Sequence, residues 1–174
     1  MSGPLELRSG SVEDTERLGA RLAPALQSGD VLALSGPLGA GKTRFVAGLA
    51  RALGYSGRVR SPSFTLVNEY LPGESSARLP FFHFDLYRLD GPAAALDLGL
   101  DDYADRRGAI AIEWPQAAVP ALPVDRLDLE LTIDGEARQI SLLAGGPRSA
   151  ALREALLAEP CGAAPRARAG ESPC

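Results

Sequence analysis

Apolar and polar residues follow two rhythms along this chain. Val31-Leu32-Ala33-Leu34 and Ala109-Ile110-Ala111-Ile112 are short unbroken apolar runs, the pattern of strands buried on both faces. Phe81-Phe82-His83-Phe84 is a third such run. Leu5-Glu6-Leu7-Arg8 and Leu127-Asp128-Leu129-Glu130-Leu131-Thr132-Ile133 alternate strictly and predict half-exposed strands. Asp134-Gly135 is a hairpin signal, with residues 138–143 as the return strand. Residues 64–70 alternate Phe64 and Leu66 with Thr65 and Val67 and predict a strand, paired antiparallel with the 81–84 run across a turn at 72–76.

Helical spacing appears elsewhere. Leu18, Leu22 and Leu26 lie four apart, with Ser9 or Ser11 as the cap and Glu13 and Asp14 where carboxylates suit the helix dipole. Pro24 should kink or shorten this helix. Residues 44–53 place Phe45, Val46, Leu49, Ala52 and Leu53 on one stripe. A short helix is expected at 93–98 after the Gly91-Pro92 break, a helical turn at 101–107 and a terminal helix at 148–157. Strands alternating with helices predict an α/β fold. Gly145-Gly146-Pro147 suggests a domain over 1–146, followed by a terminal helix and an Ala/Pro/Arg-rich tail over 147–174 whose end should be disordered.

The most informative stretch lies between the first buried run and the helix after it. Gly36-Pro37-Leu38-Gly39-Ala40-Gly41-Lys42-Thr43 reads G-x-x-x-x-G-K-T, a phosphate-binding P-loop, in the strand–turn–helix setting that its mechanics require. Its glycines let backbone N–H groups converge on an anion, and the helix N-terminus adds unpaired N–H groups. Lys42 should reach the β- and γ-phosphates, and the Thr43 hydroxyl should ligate Mg2+. Residues Gly36, Pro37, Leu38, Gly39, Ala40, Gly41, Lys42, Thr43 and the adjoining Arg44 are the expected nucleotide contacts. The fold expectation is accordingly P-loop NTPase-like.

Composition sharpens this. Lys42 is the sole lysine among 18 basic residues. A compact ammonium and a planar guanidinium are not interchangeable at a crowded phosphate site. The formal charge of −4 argues against a protein held on nucleic acid by bulk charge. Cys161 and Cys174 both fall near the C-terminus, where they neither staple a core nor build a metal site. With no long apolar run and no basic-then-apolar leader, a cytoplasmic protein without a membrane span is expected.

A P-loop enzyme needs a further acid at the end of a neighbouring strand. Asp85 and Glu113 each end an apolar run. One can bind the metal and the other orient the attacking water; spacing does not assign the roles. His83 beside three phenylalanines is expected to be structural. Trp114 is a candidate cover for the nucleotide or a partner. Ser63 and Thr65 are candidate γ-phosphate sensors, and Arg60, Arg88, Arg106 and Arg107 are candidate charge stabilisers.

Taken together, the P-loop at 36–43, Ser61-Pro62-Ser63-Phe64-Thr65-Leu66-Val67-Asn68-Glu69-Tyr70, Phe82-His83-Phe84-Asp85-Leu86-Tyr87-Arg88-Leu89 and Ile112-Glu113-Trp114-Pro115 closely resemble the bacterial TsaE (YjeE) family. The resemblance spans residues 10–143. It implies a P-loop α/β fold with a mixed β-sheet flanked by helices, and an ATPase of tRNA N6-threonylcarbamoyladenosine (t6A) biosynthesis, weak alone, whose ATP turnover resets a complex of TsaD and TsaB type proteins. Transfer RNA would be met indirectly through that complex, with no role for DNA. By match to the family pattern, Thr43 and Glu113 are the expected Mg2+ ligands, Asp85 an essential acid also expected at the metal, and Thr65 a switch-type residue. The helix start at 11–15 and the Gly135 hairpin are expected near the base. Pro37 departs from the family, where many members carry an acid, and removes one loop N–H. Two alternatives share these residues: a small-molecule P-loop kinase, and a nucleotide-dependent assembly switch with incidental hydrolysis. A GTPase is disfavoured, because its Asn-Lys-x-Asp motif needs a second lysine.

Overall fold

In chain order the elements are β1 (Leu5–Ser9), α1 (Val12–Leu22), β2 (Val31–Ser35), α2 (Lys42–Ala52), β3 (Val67–Tyr70), β4 (Phe81–Asp85), α3 (Leu100–Asp105), β5 (Ala109–Glu113), β6 (Leu127–Asp134), β7 (Ala137–Ala144) and α4 (Pro147–Leu157). They come from a computed structural model that describes residues 4–72, 78–89, 91 and 99–157. The strands form one mixed sheet in the order β1-β7-β6-β2-β5-β4-β3. The β2–β5, β2–β6 and β4–β5 pairs are parallel, and the β1–β7, β6–β7 and β3–β4 pairs are antiparallel. The unbroken apolar runs are thus the central parallel strands, where both faces are covered.

The sheet separates two apolar layers. On one face, Leu32 and Leu34 of β2, Ala111 of β5 and Leu127, Leu129 and Leu131 of β6 pack with Leu22, Phe45 and Leu49 from α1 and α2. On the other, Val31, Phe82, Phe84, Ile110 and Ile112 pack with Leu100 and Ala118. Phe82 and Phe84 each meet Tyr103 edge-on at 5.0 Å between ring centroids. Four of the chain's five phenylalanines are fully buried. Each such ring contributes roughly 1.5–3 kcal/mol on burial. The fifth, Phe64, is 83% exposed and belongs to no core.

Helix α1 starts where Ser11 accepts the Asp14 N–H at 3.1 Å and stops ahead of Pro24, which enters a 3-10 turn at Ala23–Ala25. Leu26 beyond that turn is still buried. Two glycines set the approach of α1 to α2. A Cβ on Gly19 would lie 2.0 Å from the Phe45 carbonyl oxygen, and one on Gly48 would lie 1.8 Å from that of Glu16. This close crossing fixes the N-terminus of α1 beside the start of α2.

Several expectations need correction. The strand expected from residue 64 begins at Val67. Ahead of it the chain curls, with the Leu66 N–H donating to the Pro62 carbonyl at 2.6 Å and Leu66 at φ 65°. Four alternating residues do not distinguish a strand from such a turn. Ala52, expected on the buried stripe of α2, is exposed. The terminal helix expected after residue 146 is present and packs on the sheet. Leu152 and Leu156 of α4 are buried in the same layer as Leu22 and Leu142, and Arg148 clasps Asp30 at 2.6 and 2.7 Å. The helix expected at 93–98, most of the turn at 72–76 and the tail from 158 lie outside the described residues. Among the described residues no helix is long and apolar enough to cross a membrane.

Candidate active site

Strands β2, β4 and β5 run parallel, so their C-terminal ends share one edge of the sheet, where ligands of open α/β sheets bind. The loop after β2 leads into α2. Gly36 sits at φ 126°, and a Cβ there would lie 2.0 Å from the Leu131 carbonyl oxygen. Only glycine lets the chain leave β2 so close to β6. Gly41, at φ 103°, is the N-cap of α2 and offers no side-chain acceptor to it. The N–H groups of the first helical turn therefore lack intrahelical partners and face the loop.

Lys42 is 4% exposed. Its Nζ donates to the Gly36 and Pro37 carbonyls at 2.7 and 3.0 Å and lies 4.1 Å from the centre of the Trp114 ring. Burial pushes its pKa below the usual lysine value of 10.5, while the nearby Glu113 and Asp85 charges oppose that shift. Trp114 takes a left-handed backbone, φ 57°, where β5 ends, and its ring meets Tyr87 at 5.0 Å. A non-glycine residue held there costs on the order of 1–3 kcal/mol, and such strain gathers at functional sites.

The two strand-end acids face each other in register, Asp85 opposite Glu113. Both are buried. Glu113 Oε1 accepts from Thr43 Oγ1 at 2.7 Å and lies 2.8 Å from His83 Nε2. Asp85 accepts from Ser61 Oγ and from the Tyr87 N–H, the latter at 3.0 Å. These oxygens suit a hard cation such as Mg2+, which is held by one or two carboxylates together with substrate phosphates. Among the described residues no three His, Cys, Asp or Glu side chains form a cage that could hold a metal alone.

A cavity of about 510 Å³ opens over this edge. Leu38, Gly39, Gly41, Lys42, Thr43 and Arg44 line it from the loop and α2, and Asp85 and Glu113 from the sheet. Gly36, Pro37 and Ala40 do not. Ser11 and Thr15 at the start of α1 form one wall, and Glu136 and Arg138 of the β6–β7 hairpin another. Thr65 is exposed, sits on a turn and is not among the lining residues; Ser61 and Ser63 are. Of the four arginines, Arg88 lines the cavity and stacks on Phe64 at 4.4 Å. Arg106 instead grips Glu69 with two 2.6 Å bonds.

Sequence reading missed Ser61, Tyr87, Glu136 and Arg138 as individual residues. It also missed the contact between His83 and Glu113. Ser61-Pro62 and the Tyr87-Arg88 pair beside Asp85 were visible signals; the hairpin pair carried none.

Comparison with known proteins agrees with the geometry. Residues 9–140 match the family model described as threonylcarbamoyl adenosine biosynthesis protein TsaE. The chain is 38% identical over 153 residues to the tRNA threonylcarbamoyladenosine biosynthesis protein TsaE of Bacillus subtilis, covering 87% of this chain and 93% of that one. It is 41% identical over 128 residues to the Nostoc protein of the same name, covering 71% and 75%. The crystal structure of Bacillus subtilis YdiB superposes with a TM-score of 0.76 at 34% identity, covering 90% of this chain and 96% of that one. A P-loop edge carrying two acids in register, matched in sequence along most of the chain and in fold, places it: the chain belongs to the TsaE family.

Proposed function

We propose that this chain binds ATP with Mg2+ and hydrolyses it to ADP and phosphate in the service of tRNA N6-threonylcarbamoyladenosine biosynthesis, working with TsaD and TsaB type proteins. The observation that carries this reading is the meeting of Lys42, Thr43, Asp85 and Glu113 at one cavity over the sheet edge. The printed names of the relatives support the pathway. The acidic balance of −4 fits a protein that meets tRNA through partners rather than by bulk charge.

The residues divide the work. The N–H groups at the start of α2 bind phosphate oxygens, and Lys42 exchanges its carbonyl acceptors for the β- and γ-phosphates. Thr43 and Glu113 would hold Mg2+, which would supply positive charge to stabilise the phosphate oxygens. Asp85 orients a water for in-line attack on the γ-phosphorus. The bond from that phosphorus to the β,γ-bridging oxygen breaks, and ADP leaves. Trp114 and Tyr87 cover the phosphate end and limit its contact with bulk water.

An ATPase assay with and without the partner proteins tests the reading. ADP and free phosphate should appear in equal amounts, slowly alone and faster with the partners. Label passing from ATP to a small acceptor without free phosphate would overturn it in favour of a kinase.

A further inference from the structure

His83 is the chain's sole histidine and is 0% exposed. It lies in β4 between Phe82 and Phe84, which point to the opposite layer. Its register partner on β5 is Ala111. Glu113 lies two residues further along β5, on the same face of the sheet as Ala111. There Nε2 lies 2.8 Å from Glu113 Oε1, the same oxygen that Thr43 Oγ1 reaches at 2.7 Å. A carboxylate oxygen accepts, so Nε2 carries the hydrogen.

The other ring nitrogen is a liability. Nδ1 is buried and has no hydrogen-bond partner among the described residues. A bare buried polar atom costs on the order of 1–3 kcal/mol. An apolar side chain in this central strand would avoid that cost but would also take a donor from the buried Glu113 carboxylate.

We infer that His83 is a positioning residue for Glu113. Its Nε2–H and the Thr43 hydroxyl hold one carboxylate oxygen from two sides, which fixes the plane of the carboxylate at the end of β5. Partners of this kind orient a metal ligand, and losing them typically costs 10–100-fold in metal affinity. The inference rests on the proposed role of Glu113 in holding Mg2+.

The test is ATP binding by calorimetry on the full chain, in chelator and across a Mg2+ titration, with melting temperatures alongside. His83→Leu and His83→Asn should raise the Mg2+ concentration needed for half-maximal tightening about 10-fold or more. Metal-free ATP affinity should stay the same, and the melting curves should show each variant folded at the assay temperature. His83→Gln, whose amide nitrogen sits where Nε2 does, should restore the Mg2+ requirement to within a few-fold. His83→Asn, whose nitrogen sits where Nδ1 does, should not. A parental Mg2+ requirement in His83→Leu, with a raised one in Glu113→Ala, would overturn the positioning role alone. A parental requirement in both would overturn the Mg2+ role of Glu113 as well. Should His83→Leu fail to fold, the amide pair decides, and equal Mg2+ requirements in Gln and Asn would overturn the proposal.

Discussion

Thr43 Oγ1 donates a 2.7 Å hydrogen bond to Glu113 Oε1, joining the first turn of α2 to the end of β5 across 70 positions of sequence. The bond brings two oxygen donors to one point, ready for a shared cation. Replacing the hydroxyl by a methyl keeps the shape and removes the donor. Thr43→Val should weaken Mg2+-dependent ATP binding about 10–100-fold, the range for hydrogen bonds to charged groups. Thr43→Ser should stay within a few-fold. Calorimetry with and without Mg2+ checks both.

Lys42 offers a second test, with a pH signature. Lys42→Ala should lose ATP affinity at least about 10-fold and remain folded. Lys42→Arg should not restore it, because a planar guanidinium does not fit the space between two loop carbonyls and the Trp114 ring. Burial lowers the pKa of Lys42 below 10.5. Between that lowered value and 10.5 the unfolded chain holds more proton than the folded one, so stability without nucleotide should rise with pH there. ATP affinity should fall across the same window as the ammonium is lost. Both trends should vanish in Lys42→Met.

The chain has one tryptophan, and it lies over Lys42. Adding ATP draws the ammonium toward phosphate and changes the charge facing the ring. Tryptophan emission of the unmodified protein should change on titration with ATP and return when the nucleotide is removed. A flat titration under conditions where calorimetry detects binding would place Trp114 away from the phosphate end.

The α1–α2 crossing depends on the absence of two Cβ atoms, at Gly19 and Gly48. The obstacles are backbone carbonyls, which cannot swing aside. Gly48→Ala should cost about 1–3 kcal/mol or more in urea unfolding, and Gly19→Ala a similar amount. Gly57→Ala, where an added Cβ meets nothing within 4 Å, should stay within about 0.5 kcal/mol.

Asp125 caps α4. Its carboxylate accepts from the Ser149 hydroxyl and N–H and from the Arg148 N–H, at 2.7, 2.8 and 2.9 Å. The Ser149 hydroxyl, followed by the two backbone donors, holds its pKa below the usual 3.8. The cap should therefore stabilise the fold fully above the ordinary aspartate value and fade as pH falls through the lowered one. Acid unfolding of Asp125→Asn should lack that part of the slope.

What the sequence determined by itself was whatever local chemistry dictates. The apolar runs at 31–34, 81–84 and 109–112 became buried strands because no surface position tolerates them. The loop before Lys42 was legible because its glycines and its lysine serve one short turn. Asp85 and Glu113 were placed at strand ends by counting alone. Tertiary structure decided whatever depends on residues far apart in the chain. Only the register of β4 on β5 brings His83 to Glu113, and only the curl at Leu66 carries Thr65 outward while Ser61 turns to Asp85. Helix α4 joins the domain through Arg148 and Asp30, a pair 118 positions apart that no local pattern announces. Periodicity reports which face of an element is buried, and the partner that buries it is set by how the elements pack.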